Sequence, residues 1–200
     1  MKYPLWKRIF DIIGSLLGLL FIAPFVPLIA LAIKLDSRGP VLVKLYRVSE
    51  GRKVKIYKFR SMVKGAASMK ESLKDKNERR DGPLFKIKDD PRVTKTGRFL
   101  RRLRLDEFPQ LVNVLRGELG LVGPRPREPE EANQYPLEYQ KILKARQGVT
   151  GLSQINGASS LPFLKELELD KYYVENFSPG LDLKIILKTI AVLFFDPTAV

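Results

Sequence analysis

The chain has 200 residues with no cysteine and no histidine, and its 36 basic against 22 acidic residues give a formal charge of +14. That length suits one domain able to bury its own core. The missing residue types exclude disulfides, thiolate and imidazole metal sites and histidine acid–base chemistry, which leaves Asp, Glu, Lys and Tyr for nucleophile or proton work. Any metal would be a hard cation held by oxygens. The charge calls for an anionic partner: nucleic acid, lipid headgroups or a phosphorylated substrate.

Residues 12–33, IIGSLLGLLFIAPFVPLIALAI, form a run of 22 without a charge. About 20 apolar residues suffice to cross a bilayer. The run is too long for a signal peptide and lacks a clean small-residue cleavage site; a buried core helix is the bland alternative. Pro24 and Pro27 each remove a helix donor, which predicts a break near Ala23. Lys2, Lys7 and Arg8 precede the run and Lys34 and Arg38 follow it. Basic flanks on both sides favour a segment that enters the membrane and returns over a proline-kinked span.

Beyond the turn at 37–40, residues 41–43 and 54–57 read as two strands joined by a charged loop at Glu50-Gly51. Lys58 and Arg60 flank Phe59 and suit either a phosphate or a solvated strand end. Residues 65–81 are highly charged and read as an exposed helix or mobile segment. Thr94 suggests a helix cap. Residues 97–105, GRFLRRLRL, then give an amphipathic helix with Phe99, Leu100 and Leu103 inward and arginines, among them Arg101, on the other faces. Such forks match phosphate oxygens in pairs, or face headgroups.

Asp106 and Glu107 follow, ahead of a second helix at about 109–116 that ends at Gly117. A helix N-terminus favours anions, so the pair serves either to stabilise the dipole or to hold a divalent cation while one carboxylate attacks an electrophile. Residues 123–126, GPRP, make a stiff turn that holds Arg125. Helical stretches are expected from Arg127 to Lys144 and over 161–176, the latter with Leu164, Leu167 and Tyr172 inward. Residues 148–154 form a glycine-rich turn and short strand. Residues 181–195 read as an interfacial or a core helix.

The order of these motifs resembles the bacterial sugar transferases, specifically the monotopic phosphoglycosyl transferases. The likeness runs from KRIFD at 7–11 through KFRSM at 58–62, LDE at 105–107 with PQL at 109–111, NVL at 113–115, VGPRP at 122–126 and TGL with Gln154, to LDLK at 181–184. It implies transfer of a sugar 1-phosphate from a UDP-sugar to undecaprenyl phosphate with release of UMP and with Mg2+, the first step of lipid-linked glycan assembly. It makes Asp106 the nucleophile that carries a covalent phospho-sugar, and Glu107 its partner; both are the implied metal ligands. Lys58, Arg60, Arg101, Pro124, Arg125 and Gln154 become candidates for phosphate or nucleotide contact, with pairing to Asp182 the alternative role for Arg125.

The implied fold is a helix-rich α/β unit. Residues 1–36 form a re-entrant membrane hairpin broken at Ala23-Pro24, and residues 37–200 a compact catalytic domain with amphipathic interfacial helices on the cytoplasmic face of the bacterial inner membrane. Membrane lipid is an expected partner and nucleic acid is not; homodimerisation is compatible with such an enzyme. Three positions depart from the pattern: Ala23 stands for serine, Leu45 for glutamine and Ala158 for arginine. The last removes a cation, and it keeps a catalytically impaired partner subunit as the alternative reading, beside a basic membrane-tethered binding module.

Overall fold

A computed structural model describes residues 3–157 and 160–195, with side chains as far as residue 192; the Ala158 expectation lies outside the described residues. The apolar run folds as helix α1 (Leu5–Ile22), a 3-10 turn at Ala23–Phe25 and helix α2 (Val26–Asp36). The interruption falls where Pro24 and Pro27 predict it. It is slight, because both prolines sit in first-turn positions, where a missing donor costs no hydrogen bond.

These 32 residues, if straight, would extend about 48 Å, and they dock along their whole length. Lys7, Asp11, Ser15, Ile22, Ile29 and Ile33 are buried, while Leu16, Leu17, Leu20, Phe21, Phe25, Leu28 and Leu31 are exposed. Steps of four and seven along the buried set trace one helical face. Gly14 and Gly18 let that face approach closely: a Cβ on either would lie 2.4 Å from Leu121 Cδ1 and 2.6 Å from Leu111 Cδ1 respectively.

Strands β1 (Leu42–Ser49) and β2 (Arg52–Phe59) pair antiparallel across Glu50 and Gly51. Both turn residues have positive φ, 51° and 70°, the geometry that matches strand twist in a tight hairpin. The charged segment that follows is not simply solvated. It contains a 3-10 helix at Glu71–Lys76 and buries Ala66 and Leu73. Lys70 pairs with Glu128, and Arg79 with Glu166.

Helix α3 (Lys95–Arg102) starts at Thr94, whose hydroxyl accepts from Gly97 N at 3.0 Å. Leu100 packs inward with Ile22, Ile29, Ile33 and Phe59. Phe99 does not; it is exposed. A 3-10 turn at Leu105–Glu107 leads into α4 (Gln110–Leu115). Strand β3 (Gly120–Val122) pairs in parallel with β4 (Gly148–Thr150), a sheet that the sequence reading did not foresee. The helix expected from Arg127 to Lys144 starts at Pro129 and is broken at Pro136 into α5 (Pro129–Ala132), a 3-10 turn at Leu137–Tyr139 and α6 (Gln140–Leu143).

Helix α7 (Leu152–Ile155) precedes α8 (Phe163–Asn176) and α9 (Pro179–Phe195). Leu167 is fully buried, but Leu164 and Tyr172 face outward and Phe163, Tyr173 and Val174 take the inner positions. Helix α9 has both characters expected of it: Asp182 and Ile185 are buried, and Leu183, Leu187 and Ile190 are exposed. The described chain is thus a helix-rich α/β fold with two small sheets. Helix α1 lies on α4 and β3, and α4 lies on β2.

Lys7 Nζ meets Asp182 Oδ2 at 2.5 Å with both side chains buried, and Tyr173 donates to the other carboxylate oxygen at 2.7 Å. Removing one partner of such a pair strands a charge. Lys7→Met is expected to lower stability by about 3–5 kcal/mol, measured by thermal unfolding in detergent. The double variant with Asp182→Leu should recover most of that loss.

Candidate active site

The acid pair is positioned by the elements on either side of it. Gly97 allows α3 to press on the chain beyond β2, since a Cβ there would lie 1.9 Å from the Ser61 carbonyl oxygen. Thr94 N donates to that same oxygen at 3.1 Å. On the other side, fully buried Asn113 on α4 completes the edge of β2: its amide accepts from Tyr57 N at 3.0 Å and donates to Lys55 O at 2.7 Å. Arg8 on α1 donates to the Val114 and Leu115 carbonyls, both at 2.6 Å, and so satisfies the open C-terminus of α4. From sequence Arg8 was read only as a basic flank of the apolar run and Asn113 only as part of a motif; their structural roles were not foreseen, because each acts on backbone groups remote in the chain.

Within this frame Lys58, at the end of β2, hydrogen-bonds to Glu107 and lies 3.8 Å from Asp106 Oδ2. Asp106 is buried and Glu107 half-buried. Burial pushes the Asp106 carboxyl up from its ordinary value; Lys58 opposes this, Glu107 adds to it, and Arg101 and Arg125 again oppose it. Glu107 is also pushed up by burial, but Lys58, Arg125 and Arg104 outweigh that and bring it down to about 2. The dyad is therefore asymmetric: one firmly ionised carboxylate held by a lysine, and one desolvated carboxylate beside it.

Both acids line a cleft of about 820 Å³, along with Lys58, Arg60, Arg101, Arg104, Arg125 and Gln154. The hairpin forms one wall through Val43, Leu45, Arg47, Ile56 and Lys58, and the segment after it forms another through Lys70, Leu84 and Phe85. Basic side chains on the lining outnumber acidic ones about two to one, so the cleft favours anions.

The other sequence-derived candidates divide. Arg101 reaches the cleft and is steadied by Ser61 Oγ at 2.9 Å. Buried Arg60 spends one nitrogen on the carbonyls of Ile33 (3.1 Å) and Ser37 (2.5 Å), clamping the end of α2 while still lining the cleft. Arg125 faces the cleft, and its backbone N–H meets Asp170 at 3.4 Å. It does not pair with Asp182, whose two oxygens are taken by Lys7 and Tyr173. Pro124 is buried away from the lining and accepts from Gly148 N at 2.9 Å. Ala23 and Pro24 lie in the 3-10 turn between α1 and α2.

The turn containing Pro124 owes its place to close backbone crossings. A Cβ on Gly148 would sit 2.0 Å from Gly123 N, and one on Gly151 would sit 2.1 Å from Gly123 O. Asp170 of α8 then staples turn to helix by accepting from Arg125 N and from Ser153 Oγ at 2.7 Å.

The donor set suits magnesium in a limited way. No group of three or more acidic residues gathers among the described residues. Asp106 and Glu107 offer adjacent hard oxygens, with Lys58 already on one of them, while the other acids on the lining that form ion pairs, Asp90, Glu128 and Glu166, are held by arginines or a lysine. Magnesium is commonly held by one or two carboxylates together with substrate phosphates, so the pair fits an ion that arrives with, or is completed by, a diphosphate.

Residues 2–196 match the family described as bacterial sugar transferase. The chain belongs to that family. An undecaprenyl-phosphate glucose phosphotransferase of Komagataeibacter xylinus is 40% identical, covering 96% of this chain and 36% of its own length. A UDP-glucose:undecaprenyl-phosphate glucose-1-phosphate transferase of Klebsiella pneumoniae is 39% identical over 97% of this chain and 41% of its own. The exopolysaccharide production protein PSS of Rhizobium leguminosarum bv. phaseoli is 40% identical, with 92% of each chain covered. This sugar transferase chain spans about two fifths of the length of several curated relatives, and nearly the whole of others.

The sugar transferase dyad makes a direct electrostatic prediction. Lys58 holds both carboxyls down. In Lys58→Met the ionisation midpoints of Asp106 and Glu107 should both rise, Glu107 the more, as followed by carbon-13 titration of labelled carboxyls in micelles. A Glu107 midpoint unmoved by the substitution would remove Lys58 as its counter-ion.

Proposed function

We propose that this chain transfers a sugar 1-phosphate from a UDP-sugar to undecaprenyl phosphate, releasing UMP, and so initiates assembly of a lipid-linked glycan. The observation that carries the reading is Asp106: a buried carboxylate at the cleft wall, beside Lys58 and within the field of Arg101 and Arg125. Desolvation makes such a carboxylate a stronger nucleophile than one in water, and the neighbouring cations keep enough of it ionised.

In the first half-reaction an Asp106 oxygen bonds to the β-phosphorus of the donor. The bond from that phosphorus to the bridging oxygen breaks, and UMP leaves with the oxygen and its electron pair. In the second, a phosphate oxygen of undecaprenyl phosphate bonds to the same phosphorus and the Asp106 carboxylate departs. The acceptor is already ionised near neutral pH, since a phosphate monoester has its second pKa near 6. No histidine-like base is required, in keeping with a chain that has no histidine. Lys58, Arg101 and Arg125 face the charge that builds on the phosphoryl oxygens. Magnesium held by Asp106 or Glu107 with the diphosphate would supply further charge neutralisation.

A polyprenyl acceptor places its phosphate at a membrane surface, and the docking of the helical segment 5–36 supports that location. Its N-terminal foot is fixed through Lys7 to Asp182, and its C-terminal foot through Arg60 to Ser37 O. Both feet thus rest on one globular body while the opposite face exposes leucines. That arrangement favours a segment that dips into one leaflet and returns, with the catalytic unit on the cytoplasmic face of the inner membrane.

Incubated with undecaprenyl phosphate, magnesium and a panel of UDP-sugars, the protein should release UMP from at least one donor. Asp106→Ala should lower that release by at least about a thousand-fold. No UMP from any donor, with wild type and variant alike, overturns the reading. Activity should also fall as pH drops through the raised Asp106 value, because only the ionised form attacks.

Topology is separable from chemistry. The chain has no cysteine, so Leu5→Cys and Arg38→Cys, both at exposed positions, give clean single-site probes. Each should react with an impermeant maleimide only from the cytoplasmic side of oriented vesicles. Reaction from opposite sides would establish a plain span.

A further inference from the structure

Among the described residues, five buried side-chain atoms lack a hydrogen-bond partner, and four of them belong to residues lining the active-site cleft: Arg60 Nε and Nη1, Arg127 Nε and Gln154 Oε1. Three of these are donors, as a cleft for phosphates requires. Gln154 Oε1 is the exception. It is a neutral acceptor on a side chain only 3% exposed, and a buried acceptor left unpaired is costly.

Its identity as oxygen is fixed by its surroundings. The other end of the amide donates to the Val149 carbonyl at 2.9 Å. A carbonyl accepts only, so the atom facing it must be the NH2 and the free atom must be Oε1. An ionised phosphate has no hydrogen to offer that oxygen. The elements around it are rigid: Ser153 on the same short helix, α7, is bonded to Asp170, which also receives Arg125 N. Gly151 leaves room for the amide, since a Cβ there would come 2.9 Å from Oε1.

From this we infer that Gln154 is a specificity residue that reads a neutral N–H or O–H donor of the substrate, not a phosphate. The inference rests on the proposed function for the site, and it assigns Gln154 away from the phosphates that the cleft arginines take. A uracil imide N–H and a hydroxyl of ribose or of the transferred sugar share the required chemistry.

The test compares wild type with Gln154→Leu, which keeps the volume and removes the acceptor, and with Gln154→Glu, which keeps an acceptor. The probes are UMP, N3-methyl-UMP, UDP-sugars lacking single sugar or ribose hydroxyls, and pyrophosphate. Binding is read by calorimetry, so no turnover is needed. Wild type should bind one donor-lacking analogue about ten-fold more weakly than its parent, and that discrimination should fall to about one in Gln154→Leu and persist in Gln154→Glu. Loss of discrimination against N3-methyl-UMP assigns the base; loss against a deoxy analogue assigns that hydroxyl.

A merely structural role would weaken parent and analogue equally and leave the ratio unchanged, which overturns the inference. So does a pyrophosphate affinity that falls in step with the rest. If wild type binds UMP without turning over any donor, the proposed reaction fails while the inference stands or falls on the ratios. If wild type binds none of the probes, both fail.

Discussion

The structure depends on a buried ionic knot at the foot of the membrane segment. Lys7 and Asp11 lie one turn apart on α1, where burial would be prohibitive without partners. Lys7 meets Asp182 of α9, and Asp11 accepts from Leu121 N at 2.9 Å in β3 and from Tyr3. Tyr173 of α8 joins through Asp182 and the Val122 carbonyl. One cluster therefore joins the first helix, the parallel sheet and the last two helices. Apolar contacts alone could let a greasy helix slide along its groove; directed charges fix its register.

That register matters because the active site is built outward from it. Arg8, next to Lys7, closes the end of α4, and Asn113 of α4 locks onto β2. The acid pair sits between α3 and α4 and meets Lys58, which β2 delivers. Each link is a hydrogen bond to a backbone group or an ion pair between different elements. The dyad is thus positioned by the same framework that seats the membrane segment. Under the proposed function, in which Asp106 is the nucleophile, a displacement of about 1 Å would cost about a hundred-fold in rate, so this coupling would join the seating of the apolar segment to chemistry.

Much of this was legible where the signal is local. The uncharged run, the proline break, the hairpin turn and the Thr94 cap each depend on a few neighbouring residues, and each was found where expected. The acid pair stood out only as a pair; its asymmetry comes from Lys58, which lies 49 positions from Glu107. A short strand was expected within 148–154, where β4 lies, but β3 and its parallel pairing with β4 were missed, because three residues carry no periodicity and the pairing rests on glycines that let remote backbones touch. Helix α8 misled for a related reason. Its buried face includes Glu166 and Asp170, which are partnered by Arg127 and Ser153 from other elements, so apolar spacing alone points Leu164 and Tyr172 the wrong way.

The cleft shows how a basic chain avoids becoming a general anion trap. Several of its cations are already committed: Arg47 and Lys70 to Glu128, Arg79 and Arg127 to Glu166, and Arg92 to Asp90. Those pairs hold the walls and spend much of their charge doing so. Arg101 and Arg125 pair with no acid at ion-pair distance among the described residues, and both act electrostatically on Asp106. Positive potential is therefore concentrated at the dyad instead of being spread over the lining. An anion entering the cleft is drawn toward the carboxylate that, without those cations, would repel it. Under the proposed function, metal and substrate phosphates would complete this balance of charge, since magnesium is commonly held by one or two carboxylates together with substrate phosphates.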